Sequence, residues 1–158
     1  MAFPFYFEVA MSVMKDLKKI ALVAHDAKKS ELMEWVRDNI ELLKEHQIYA
    51  TGTTGLKIEK EIGINVIKFK SGPLGGDQQI GSAIVEEKLD VLIFFWDPLS
   101  SQPHDPDVKA LLRVAALWNA AVACNKTSAD FILQSPLMKQ SYRRDLKHIL
   151  QYTKDRTV

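Results

Sequence analysis

The run DVLIFFWD (residues 90–97) constrains this chain more than any other stretch. Between its two aspartates every side chain is apolar, with no alternation of polar and apolar positions. A strand with one wet face alternates, whereas a strand buried on both faces does not. Such a strand needs a covering layer on each side, which in a short chain means helices above and below a sheet. Four further short apolar runs accompany it: KIALVAH (19–25), QIYATG (47–52), NVIKFKS (65–71) and AAVACN (120–125). Segments of helical periodicity fill the gaps. ELMEWVRDNIELLKEH (31–46) puts Leu32, Trp35, Val36, Ile40 and Leu43 on one face of a single helix. Gly63 follows LKIEKEI as a C-terminal cap. Asp105-Pro106 supplies a cap and a first-turn proline for DPDVKALLRVAALW, and Ser128 or Thr127 caps SADFILQ. Strands alternating with helices predict right-handed βαβ units. The expected class is therefore α/β: a three-layer αβα sandwich with a five-stranded, mostly parallel sheet, Rossmann- or flavodoxin-like. The three tryptophans are assigned to its core.

At 158 residues the chain reads as one domain, residues 19–158, behind an N-terminal extension, residues 1–18. The extension is apolar, but Glu8 interrupts it and its basic residues follow the apolar run, the reverse of a secretory signal. A net charge of +1 argues against a nucleic-acid or membrane-surface binder. The locally basic tail (Lys139, Arg143, Arg144, Lys147, Lys154, Arg156) reads as a solvated helix face. The single cysteine, Cys124, allows no internal disulfide and fits a reducing, cytoplasmic setting.

The ends of the strands carry the functional signal. The runs finish, in chain order, in His25-Asp26, Thr51-Gly52-Thr53-Thr54, Ser71-Gly72, Asp97 and Asn125. Open α/β sheets bind ligands beyond the carboxyl ends of their strands, so these polar groups share one edge. All seven glycines fall between residues 52 and 81, around the second and third of those ends. TGTTG (51–55) lies between a strand and a helix, where backbone N–H groups and threonine hydroxyls suit a phosphate. Ser71-Gly72 adds a hydroxyl and a bare backbone, and Lys29 a positive charge. Neither GxxxxGK[ST] nor GxGxxG is present, which leaves a nucleoside triphosphatase or dinucleotide enzyme unsupported. Asp77, the one acid between Glu61 and Glu86, follows the glycine loop SGPLGG. It is either an N-cap or a base placed beside a phosphorylated carbonyl compound. In WDPLSSQPHDPD (96–107), Asp105 reads as the helix cap, Asp97 as a strand-end cap or an active-site acid, and His104 as a site histidine. The spacing of His25, Asp26, Asp97 and His104 matches no familiar metal-ligand motif.

Five of these motifs, VAHDAKK, YATGTTG, SGPLGGDQQIG, DVLIFFWDPLSSQPHDPDVKALLR and NKTSADFILQSP, resemble the methylglyoxal synthase family from about Lys19 to Pro136. The resemblance implies conversion of dihydroxyacetone phosphate to methylglyoxal and inorganic phosphate, without metal or organic cofactor. It implies that Asp77 is the general base, with His104 and Asp107 also catalytic and Asp26 and Asp97 as supporting acids. His25, Lys29, Thr51, Gly52, Thr53, Thr54, Ser71 and Gly72 match the substrate- and phosphate-binding positions. Arg156, in YTKDR, falls where the family carries a phosphate-handling arginine at a subunit interface. The resemblance further implies a cytoplasmic homohexamer that phosphate inhibits allosterically. Three other readings stay open on the residues alone. One is a non-enzymatic regulatory module, similar to the small-ligand domain of carbamoyl-phosphate synthetase, which needs the phosphate cradle but not Asp77. The others are a metal-dependent phosphohydrolase using Asp26, Asp97 and His104, and a phosphorelay receiver, against which Ser71 stands where an acceptor aspartate belongs.

Overall fold

A computed structural model describes residues 12–156. Its main sheet has five strands: β2 (Lys19–Ala24), β3 (Gln47–Thr51), β4 (Val66–Phe69), β5 (Val91–Phe95) and β6 (Ala121–Ala123). Their order is β4-β3-β2-β5-β6, and every pairing is parallel. All five residues of β5 are buried, as an unbroken apolar run requires. The helices are α1 (Lys29–Asp38), the single turn α2 (Ile40–Leu43), α3 (Gly52–Ile62), α4 (Gly76–Val85), α5 (Asp105–Leu117), α6 (Lys126–Gln134) and α7 (Lys147–Lys154).

Strand side chains alternate between two cores. Ile20, Leu22, Ile93 and Phe95 pack with Leu32, Trp35 and Val36 of α1, Ile58 of α3 and Leu133 of α6. Their neighbours Ala21, Val23, Leu92 and Phe94 pack on the other face with Ile80 and Ile84 of α4 and Val108, Leu111 and Ala115 of α5. At roughly 1.5–3 kcal/mol per fully buried aliphatic or aromatic side chain, these two faces dominate the favourable side of folding. The chain leaves β2 toward α1 on one face and leaves β5 toward α5 on the other. β2 and β5 are neighbours, so the loops part between them and open a crevice at their carboxyl ends.

Several local expectations change. Residues 31–46 do not form one helix: Asn39 breaks the run, its backbone leaving helical geometry while its side-chain amide joins its own N–H on the Trp35 carbonyl, donating at 2.8 Å. His104, not Asp105, holds the cap position of α5. Asp105 is already helical, and its Oδ2 accepts from the Gln102 backbone N–H. Asn125 caps α6 by accepting from Ser128 N–H, displacing both Ser128 and Thr127 from that role. Of the tryptophans only Trp35 is fully buried; Trp96 is exposed and Trp118 half-buried.

The C-terminal tail is not a solvated helix face throughout. It contains a 3-10 turn (Pro136–Lys139), a short strand β7 (Tyr142–Arg143) and α7. β7 pairs antiparallel with β1 (Val13–Met14), so the described part of the N-terminal extension packs onto the domain; residues 1–11 lie outside the described residues. Arg144 is buried, donating to Asp90 Oδ1 at 3.1 Å and to the Leu89 and Trp118 carbonyls. Asp90 Oδ2 in turn accepts from Lys19 N–H at the start of β2.

Candidate functional site

The crevice encloses a cavity of about 210 Å³ at the carboxyl edge. It has two walls, each supplied by one helical layer. On the first, Lys29 opens α1 and Thr53 lies in the first turn of α3; Lys29 Nζ contacts Asp26 Oδ1 at 2.7 Å and donates to Thr53 Oγ1 at 3.1 Å. This wall suits an anion, because the first-turn amides of α3 have no helical acceptors and the ammonium adds charge. Thr51 precedes α3 in extended conformation and makes no side-chain cap bond, which leaves its hydroxyl to the cavity. Thr54 is buried with Oγ1 unpartnered. Gly52 keeps the β3 end close to its neighbour, since a Cβ there would sit 3.2 Å from the Phe69 carbonyl. The Lys29 contact holds the Asp26 carboxyl below its ordinary value.

On the second wall stand Asp77, in the first turn of α4, and His104, at the cap of α5. Asp77 is not the N-cap; that position is Gly75. Its carboxylate is 2% exposed, Oδ2 has no hydrogen-bond partner among the described residues, and burial pushes its pKa up. His104 Nε2 lies 3.8 Å from Asp77 Oδ2. That is too long for a direct hydrogen bond and short enough for one substrate atom to touch both groups. The glycines explain how the acid gets there. A Cβ on Gly76 would fall 2.0 Å from the Lys70 carbonyl, so only glycine lets α4 start against the end of β4. A Cβ on Gly72 would meet Asp77 Oδ1 at 3.3 Å and His104 Nε2 at 3.4 Å, filling the space between the two groups.

His25 follows β2 between the walls, edge-on to His104 with ring centroids 5.6 Å apart. Its Nδ1 accepts from the Asp97 backbone N–H at 3.1 Å. A backbone amide can only donate, so the neutral ring carries its proton on Nε2, which is buried and unpartnered. Burial, reinforced by His104, lowers the His25 pKa and keeps the ring neutral. Asp97 thus acts through its backbone; its Oδ1 accepts from Leu99 N–H and caps the strand end. Asp107 stands behind the acid wall, accepting from Gln78 Nε2 at 3.3 Å and raising the Asp77 pKa further.

Of the sequence candidates, His25, Asp26, Lys29, Thr51, Thr53, Ser71, Gly72, Asp77 and His104 line one cavity. Gly52, Thr54, Asp97 and Asp107 support it from behind, and Arg156 stays outside, its guanidinium 4.4 Å over the Tyr152 ring. Sequence reasoning missed Pro73 and Gln102 in the lining. Gln102 was findable as a polar residue in the loop after the central strand, two positions before His104. No group of three or more histidine, cysteine, aspartate or glutamate side chains arranged to hold a metal occurs among the described residues.

This fold and crevice define an α/β domain whose strand-end cavity sets a lysine and threonine wall opposite a buried carboxyl and two histidines. Residues 31–123, more than half of the chain, match the family model for the MGS-like domain. A methylglyoxal synthase of Saccharophagus degradans is 58% identical over 140 residues, spanning 89% of this chain and 91% of that one. One from Coxiella burnetii is 59% identical over 126 residues, 80% and 88% of the two chains. The crystal structure of methylglyoxal synthase from Elizabethkingia anophelis NUHP1 superposes with a TM-score of 0.86 at 47% identity, covering 94% of this chain and 97% of that one. The chain belongs to the methylglyoxal synthase family and is a lyase of that kind. The non-catalytic regulatory reading finds no support among these relatives.

Proposed function

We propose that the crevice converts dihydroxyacetone phosphate to methylglyoxal and inorganic phosphate, with Asp77 as the general base. The observation that carries this assignment is Asp77 itself: buried, with Oδ2 unpartnered among the described residues, and facing His104 across the bare Cα of Gly72. Lys29, Thr51 and Thr53 hold the phosphate on the first wall with Gly52 and Thr54 behind them, and Ser71 and Gly72 close the cradle from the loop that feeds α4. The carbonyl oxygen lies between His25 and His104, with neutral His25 donating from Nε2. Asp77 takes a proton from the hydroxymethyl carbon, and the carbon–oxygen charge of the resulting enediolate is held by the histidines. Loss of the hydroxyl proton then drives electrons through the enediolate, so that the bridging carbon–oxygen bond breaks and phosphate departs with that electron pair. The enolate left behind takes a proton at its terminal carbon to become methylglyoxal. This route needs the bridging bond out of the enediolate plane, aligned with the π system. The Thr53/Thr54 and Ser71/Gly72 cradle sets that angle, and a bound analogue with its phosphate in the plane would contradict it.

Asp107 and Asp97 are supporting groups in this scheme, Asp107 through its charge near Asp77 and Asp97 through the His25 tautomer. Released phosphate competes for the same cradle and inhibits. Arg156 lies outside its own crevice and completes the cradle of a neighbouring copy in a homohexamer, which light scattering tests directly. A cytoplasmic location agrees with the single cysteine; among the described residues no helix is long and apolar enough to cross a membrane. The test is turnover of dihydroxyacetone phosphate in the presence of a chelator, by wild type and by Asp77→Asn. Wild-type turnover with a loss on the order of a hundred- to ten-thousandfold in the variant is expected for removal of a general base. A variant as active as the wild type would overturn the assignment.

A further inference from the structure

Gln102 lines the cavity, yet neither the cradle nor the proton transfer described above uses it. Its backbone is pinned twice: its N–H donates to Asp105 Oδ2 at 3.0 Å and its carbonyl accepts from Asp105 N–H at 3.2 Å. Its side-chain amide, by contrast, makes only one long contact among the described residues, 3.5 Å from Nε2 to Ser100 Oγ. A fixed backbone with an uncommitted carboxamide is a side chain held ready for a ligand.

The two-walled crevice says which end of the ligand it meets. Lys29 and Thr53, on the layer of α1 and α3, take the anion. Gln102 lies in the loop that feeds α5, two residues before His104, on the layer that carries Asp77. That layer faces the unphosphorylated end of a phosphorylated hydroxyketone. The carbon attacked by Asp77 bears a hydroxyl there. Left free, that hydroxyl donates to the nearest carboxylate, Asp77, and so occupies the base. A carboxamide offers both a donor and an acceptor and can hold the hydroxyl instead.

We propose that Gln102 is a specificity-determining residue that binds the hydroxyl of the substrate's unphosphorylated end and keeps it off Asp77. This assignment rests on the proposed reaction. It makes the site a reader of 1-hydroxy-3-phospho ketones rather than of phosphate esters in general, because a site built to bond a hydroxyl discriminates against the analogue that lacks it.

The experiment compares wild type, Gln102→Leu and Gln102→Ala, each checked for an unchanged Tm. It measures KM and kcat for dihydroxyacetone phosphate and inhibition constants for inorganic phosphate and for acetol phosphate, the same ketone with hydrogen in place of the hydroxyl. Loss of one neutral hydrogen bond predicts that kcat/KM falls about tenfold in both variants. Both inhibition constants are expected to stay within about twofold of wild type, a split that a merely structural role would not produce. If the two inhibition constants rise in step with KM, Gln102 belongs to the anion wall and the proposal fails. If only the leucine variant suffers, the effect is steric and the proposal also fails. Variants as active as the wild type would overturn the Gln102 assignment alone. A wild type with no turnover would overturn the reaction and this assignment with it.

Discussion

Asp77 and Asp90 are both 2% exposed, and they sit at opposite ends of the same sheet. Asp90 lies at the amino edge, where both oxygens are bonded, Oδ2 to Lys19 N–H and Oδ1 to the Arg144 guanidinium. Asp77 lies at the carboxyl edge with Oδ2 unpartnered and its nearest cation-forming group 3.8 Å away. Burying a charge is costly unless it is paired and hydrogen-bonded. The paired acid ties the C-terminal segment to the starts of β2 and β5 and holds the fold. The unpaired acid stores that cost in a form a substrate can use. Four of the six buried polar side-chain atoms left unpartnered among the described residues, on His25, Thr54, Asp77 and His104, belong to the crevice. The carboxyl edge is therefore less satisfied than the core beneath it, as a binding surface must be.

The contrast breaks most visibly at Arg144. Replacing it by methionine leaves Asp90 buried and uncompensated, which costs about 3–5 kcal/mol. Thermal denaturation then shows Tm lowered on the order of 10 °C, while kcat of the folded protein at low temperature stays near wild type. Loss of kcat with unchanged Tm would reverse the roles assigned to the two edges.

Gly72→Ala sharpens the other side. The added methyl enters the space between Asp77 and His104, so kcat is expected to fall about ten- to a hundredfold, on the order of a 1 Å misplacement of reacting groups. Steady-state kinetics together with Tm measure it, and Tm is expected to hold.

Asp77→Asn carries a smaller effect on stability, with a sign opposite to that of Arg144→Met. Because burial raises the Asp77 pKa, its protonated form suits the fold, and charging it costs stability as pH rises through the raised value. Asparagine never charges. The variant is therefore expected to melt a few degrees above wild type near neutral pH, with the gap closing as pH falls toward the ordinary carboxylate value of 3.8. Melting curves across pH give the answer; a wider gap at low pH would contradict it. The smallest effect is at Asn125→Ala, which removes the α6 cap bond and costs about 1 kcal/mol without touching kcat.

How far the sequence reveals this division depends on whether the deciding contact is local. The double burial of β5 was legible because an apolar run has no other use, and the polar strand ends were legible because topology sends them all to one edge. The glycine cluster pointed to close approach, though not to the partners, the Lys70 carbonyl and the Asp77–His104 gap, because those are set by neighbouring loops. Arg144 was misread as part of a solvated face. Nothing near it in sequence announces Asp90, 54 residues away, and two-residue strands such as β1 and β7 carry no period to detect. Caps moved by one to three residues because Asp, Asn, Ser and Thr compete for the same amides, and only the backbone geometry decides among them. Asp77 could be read as a cap or a base until its side chain proved to be buried and turned away from the helix amides.

The central claim is that the anion is held by one wall and the proton moved by the other. One paired measurement tests it: kcat and the dissociation constant for inorganic phosphate in Asp77→Asn and in Lys29→Met. The account predicts that the first variant loses kcat on the order of a hundredfold or more while binding phosphate as well as wild type. The second is expected to bind phosphate at least about tenfold more weakly, for loss of a charge-assisted contact. If both variants lose turnover and phosphate binding in equal proportion, the two walls are one site and the division drawn here is wrong.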